Sequence, residues 1–102
     1  MLRPHPDHPG KILADRFCAP ARLAPSTLAL DLRVPPNRLT RIVNGQRGIT
    51  VDTALRLARY FGNRPEDWLT WQMEWELAEA RDTGREHAIS QEVRPRAARQ
   101  AA

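Results

Sequence analysis

Cysteine is nearly absent: Cys18 stands alone in 102 residues, so no intrachain disulfide is possible and an oxidising, secreted setting gains no support. Histidine is almost as scarce. His5, Asp7 and His8 lie close together, but Pro4, Pro6 and Pro9 interrupt any regular face and no second pair of ligands is present, so no metal is expected. No apolar run approaches the length of a membrane span, and Met1-Leu2-Arg3-Pro4-His5-Pro6 does not read as a signal peptide; the expected address is cytoplasmic. There is no glycine-rich phosphate loop, no metal-ligand series and no nucleophile, base and carboxylate set with plausible spacing. Neither enzymatic activity nor a cofactor is expected.

What the chain does have is arginine. Fifteen of its sixteen basic residues are arginine, the formal net charge is +4 and the pI is near 10.5, which favours an anionic partner. The charge is also segregated. From Arg33 to Arg64 there are seven arginines against one acid, Asp52; from Pro65 to Asp82 there are six acids against one base, Arg81. One part would be drawn to phosphate and the other repelled by it. With 41% apolar residues and nine prolines, the length fits one all-α domain of four or five helices with frequent breaks.

The stretch 26–45 reads as two short helices joined by a tight turn. Ser26 is placed as an N-cap, and Leu28, Ala29 and Leu32 form one apolar face. Two prolines come next, Pro35 and Pro36, of which the second suits the first position of a helix. That second helix should end at Asn44, with Gly45 as a left-handed cap. Leu39, Ile42 and Val43 make its buried stripe, whereas Asn37, Arg38, Thr40, Arg41 and Asn44 fall largely outside. No outward residue is acidic, and arginine and asparagine are the side chains whose paired donors and acceptors match guanine and adenine edges in the major groove.

Around this motif, residues 1–7 should form a loose arm and Pro9 to Cys18 a first helix, its core side formed by Ile12, Leu13, Phe17 and Cys18. Leu23 anchors the connecting loop. After Gly45, Gln46, Arg47 and the N–H groups near Gly48 are placed to meet phosphate. Thr50 caps a helix running to Phe61 and ended by Gly62, with Val51, Ala54, Leu55, Leu57, Ala58 and Phe61 expected to pack. A last helix, 65–81, starts with proline and two acids and carries all three tryptophans. Trp68, Trp71, Gln72 and Trp75 share one side and Leu69, Met73, Leu77 and Ala80 another. One strip can close the core; an exposed tryptophan-rich strip, Trp68, Trp71 and Trp75, is the candidate interface for a second subunit or a protein partner. Residues 82–102 should be a mobile or partly helical tail, with helix most favoured within 85–93.

His8-Pro9-Gly10-Lys11-Ile12-Leu13, then Val34 to Thr50, then Asp52 to Gly62, and Pro65-Glu66 with Trp68-Leu69 and Gln72, together resemble the HigA-type antitoxins of the lambda-repressor-like, or XRE, helix-turn-helix family. The likeness covers about residues 8 to 80. It implies a five-helix, homodimeric DNA-binding protein that represses its own operon through a palindromic operator and neutralises a RelE/HigB-like mRNA-cleaving toxin. By position it implies base contacts from Pro36, Asn37, Thr40 and Arg41, and phosphate contacts from Ser26, Arg38, Asn44 and Arg47. Two residues depart from the pattern: Arg33 stands where the turn commonly has glycine, and Pro25 where a polar residue commonly clamps phosphate. A stand-alone regulator without a toxin is the alternative, and a pure protein-interaction module a further one.

Overall fold

In the computed structural model, which describes residues 5–96, the first helix is opened by a histidine. His8 stands at the N-cap, its Nδ1 accepting the Gly10 N–H at 2.9 Å, and Pro9 takes the next position, where a missing donor costs nothing. Burial lowers the His8 pKa from 6.5, favouring the neutral imidazole that can accept this bond. Helix α1 begins as an α-helical turn, Pro9–Ile12, and continues as a π-helical stretch, Leu13–Cys18. With hydrogen bonds closing at i→i+5, position 18 returns over position 13, and both Leu13 and Cys18 are buried.

The remaining described helices are α2 (Pro25–Leu32), α3 (Pro36–Val43), α4 (Val51–Phe61), α5 (Pro65–Asp82) and α6 (Arg85–Glu92). Six helices therefore replace the expected five, because Arg85–Glu92 forms a full element against α5 after a left-handed Gly84. Residues 97–102 of the expected tail lie outside the described residues, as do 1–4 of the expected arm. Within that arm, His5 Nε2 lies 3.2 Å from both Glu79 and Asp82 on α5. Among the described residues, no helix is long and apolar enough to cross a membrane.

Proline rather than serine starts α2. Pro25 takes the first helical position with Ala24 at the N-cap, so Ser26 sits one residue inside, exposed, and makes no cap. Leu28, Ala29 and Leu32 point inward and join Leu13, Leu39, Ile42, Ile49, Ala54, Leu57 and Trp68 in one core. The packing side of α4 is narrower than periodicity predicts. Ala54, Leu57 and Ala58 are buried, but Val51 and Leu55 are exposed, since the stripe facing the core is filled by Thr53, Ala54, Leu57 and Ala58. Thr50 caps α4, accepting the Thr53 N–H, and Gly62 ends it at φ 82°.

The turn between α2 and α3 shows what a missing glycine demands. Arg33 adopts φ 60°, ψ 47°, and Val34 N–H reaches the Ala29 carbonyl at 3.0 Å, closing the end of α2. A side chain in the left-handed region costs about 1 kcal/mol or more. Arg33→Gly should therefore stabilise the protein by up to about 1 kcal/mol, less the freedom that glycine returns to the unfolded chain. Thermal unfolding is expected to show a rise of a few degrees; a lower midpoint would mean that the Arg33 side chain outweighs its backbone strain.

Candidate nucleic-acid interface

Helix α3 is seated from behind by Leu39 and Ile42, both fully buried. Gly10 of α1 approaches so closely that a Cβ there would lie 1.7 Å from the Ile42 carbonyl oxygen. This contact fixes the rotation of α3 about its axis. The outer side then presents Pro36, Asn37, Arg41 and Asn44 as exposed residues, with Thr40 half-buried and its hydroxyl donating to the Asn37 carbonyl at 3.3 Å. Pro36 supplies the first position of the helix, and no acid lies along its length.

Arg38 is placed differently from its neighbours. Its Nη1 donates to Asp52 Oδ2 at 2.8 Å, and the same oxygen accepts from Arg56 Nε at 3.0 Å. Arg56 in turn donates to the Leu32 carbonyl at 2.9 Å, satisfying one of the open acceptors at the end of α2. Tyr60 adds a hydroxyl donated to Asp31 at 2.8 Å. These contacts tie α2, α3 and α4 at one rim. Hydrogen bonds from Arg56 and then Arg38 hold the Asp52 pKa below its ordinary 3.8. Arg38 thus supports α3 from the side, with its guanidinium partly committed to the protein.

The loop after α3 carries the other expected contact. Gly45 sits at φ 74°, Gln46 N–H returns to the Arg41 carbonyl at 2.8 Å, and Arg47 projects exposed from the flank. The end of this loop is pinned from a distant helix: Ile49 N–H donates to Gln72 Oε1 at 2.7 Å. Sequence pattern alone puts Gln72 on an apolar strip and gives it no task. A lone amide among tryptophans is the available signal, because a buried polar side chain needs a partner.

The tryptophan strip is not the open surface that periodicity suggests. Trp68 is 0% exposed and donates from Nε1 to Asn63 at 3.1 Å. Phe17 lies against it at 4.8 Å between centroids, Trp71 stacks edgewise on it at 5.1 Å, and Arg16 covers Trp71 at 5.5 Å. Trp75 meets the His8 ring at 4.7 Å. Trp68 closes the core because α1 brings Phe17 to it, while Trp71 and Trp75 stay half-buried. The aliphatic strip is the one left outward: Met73 is 54% exposed and Leu77 44%.

A sequence model of the helix-turn-helix family (HTH_3) matches residues 23–69. The chain is 49% identical over 70 residues to virulence-associated protein I of Dichelobacter nodosus, covering 69% of this chain and 65% of that relative's length. It superposes on the Pseudomonas aeruginosa antitoxin HigA, solved with the higBA promoter, at a TM-score of 0.80 and 38% identity, over 89% of this chain and 98% of that one. An addiction module antidote protein of the HigA family from Coxiella burnetii matches at 0.80 and 42% identity, over 90% and 99%.

The rim of arginines around Asp52 makes a pH prediction. Its folded pKa is depressed, so its contribution is complete above 3.8, where the unfolded carboxylate is ionised, and is lost as pH falls further toward the folded value. Asp52→Asn should remove that part of the acid limb. Thermal midpoints tracked from about pH 5 to about pH 2 should fall less steeply for the variant; parallel curves would show that the shared carboxylate has no part in acid stability.

Proposed function

The chain belongs to the HigA-type branch of the helix-turn-helix family, and from that premise we propose that it is an antitoxin that represses its own operon. The observation that carries the reading is α3 itself: an acid-free outer face of Pro36, Asn37, Arg41 and Asn44, standing on two fully buried aliphatic side chains. Arg41 and Asn37 are of the right type to read base edges, with Thr40 and Pro36 beside them. Ser26, Arg38, Asn44 and Arg47 set the register through phosphate, Arg38 while also bound to Asp52. The Pseudomonas aeruginosa relative, solved with the higBA promoter, supports DNA binding as the use of this fold.

Reading two half-sites requires two copies. A homodimer places its α3 helices in successive major grooves, with half-sites about one helical turn apart, on the order of 10 bp. On α5 the exposed apolar side chains that would serve this are Met73 and Leu77, Trp68 being buried in the core. The toxin partner would be a small basic mRNA-cleaving protein of the RelE/HigB kind. It suits the acidic stretch of α5 and not the arginine-rich half that faces DNA, so that toxin and operator need not compete for one surface.

Two measurements test these assignments. Arg41→Ala should cost about 1–3 kcal/mol on operator DNA and relax preference at one base position, whereas Arg47→Ala should weaken every duplex alike and lower the salt slope by about one. Equal losses on all sequences for both variants would contradict the division of roles. For the protein partner, reversing charge at Glu74 and Glu79 should abolish capture of the toxin encoded beside this gene while leaving operator affinity unchanged. Undiminished capture would move the toxin to another surface.

A further inference from the structure

We propose that Gln72, in the middle of α5, is a positioning residue for DNA binding: it holds the loop at residues 45–49 so that Arg47 faces phosphate. The inference rests on the DNA-binding reading above. Among the described residues, Thr53 and Gln72 are the buried polar side chains of the core, and Thr53 belongs to the capped first turn of α4. Gln72 is 9% exposed and reaches across 23 positions of sequence to accept the Ile49 N–H at 2.7 Å. Its other end donates to Glu76 Oε2 at 2.6 Å.

That second bond gives the amide a direction. A carboxylate accepts only, so Glu76 takes the NH₂ end and leaves the carbonyl end turned toward the loop. The loop backbone lies directly on this amide: a Cβ on Gly48 would stand 2.9 Å from Nε2 and 3.0 Å from Oε1. A side chain at 48 would therefore displace the Gln72 amide, and glycine there serves this contact and no positive φ. Arg47 is the residue immediately before this seat, and its backbone is set between the Gln46–Arg41 bond on one side and the Ile49–Gln72 bond on the other. An apolar side chain at 72 would fill the same space among the tryptophans. What it could not do is accept the loop N–H, and the loop would then be free to shift at the point where it meets the duplex.

The test uses the full chain, duplexes of its own promoter and of unrelated sequence, and titrations at several salt concentrations. Gln72→Leu should lose about tenfold in affinity on both duplexes and lower the salt slope by about one, as expected when one phosphate contact goes. Arg47→Ala should then add little to the loss in the Gln72→Leu background. The exchange Gln72→Glu with Glu76→Gln keeps an acceptor toward Ile49 and a donor between the two side chains, and should restore affinity and slope to within about twofold of wild type. Gly48→Ala, which presses on the amide without removing it, should shift affinity and slope in the same direction as Gln72→Leu, and it serves in place of that variant if Gln72→Leu fails to fold. An unchanged slope in Gln72→Leu or Gly48→Ala, or full additivity with Arg47→Ala, would overturn the inference while wild-type binding left the DNA reading intact. A wild-type chain with no salt-dependent binding to either duplex would overturn the DNA reading itself.

Discussion

A backbone-to-backbone approach governs the rest of this structure. Gly10 packs under the carbonyl of Ile42, where no side chain could fit, and this brings α1 against α3 closely enough to bury Leu39 and Ile42 completely. Helix α3 has only eight residues, too few to be stable alone, so its existence depends on such packing. The same contact sets which residues are left outside. Because the helix repeats every 3.6 residues, burying 39 and 42 commits 37, 41 and 44 to the opposite side. The face offered to a partner is thus a by-product of how the core closes.

Charge is distributed by this arrangement more subtly than the composition suggests. Of the seven arginines between 33 and 64, Arg38 and Arg56 are drawn to Asp52 and to the Leu32 carbonyl. They brace the motif, and their charge is partly neutralised. Arg41 on α3 and Arg47 beside it are exposed, so the field at this surface comes from fewer cations, carried at the places where a groove or a phosphate would meet them. Two of the acids of α5, Glu79 and Asp82, lie 3.2 Å from His5 Nε2.

Sequence periodicity reveals the motif because each element there is announced by chemistry with one meaning. Paired prolines cannot continue a helix, Gly45 and Gly62 take positive φ, and Thr50 caps α4. The glycine position of the turn is legible even when occupied by arginine, since the αL backbone at Arg33 is what the motif requires. Ser26 misleads because Pro25 is the stronger start signal, having no donor to leave unsatisfied. The full extent of α6 is not legible. Its residues bury none of their side chains, so hydrophobic pattern carries no information about an element held by its continuity with α5. In the Arg38–Asp52–Arg56 cluster the Asp52–Arg56 pair is an i,i+4 spacing that sequence shows, whereas the contacts to Arg38 and to the Leu32 carbonyl have no local signature.

The most instructive difference lies in α5, where two apolar strips share one helix and periodicity cannot say which is inside. Tryptophan reads as outward because it concentrates binding energy at interfaces; the same large, rigid side chain is also the most effective single plug for a small core. What decides is the partner across the gap. Phe17, brought to the right place by the π-helical turn of α1, offers an aromatic surface to Trp68 and Trp71, and His8 offers another to Trp75. Among the described residues, Met73 and Leu77 meet no such surface and stay exposed. Gln72 lies between the two strips, at the boundary between core and rim, and there an amide can be buried and still reach both a carboxylate and a loop. The helix that closes the core is therefore also the one whose side chain reaches the loop after α3, which joins the packing of the domain to the surface that would meet DNA.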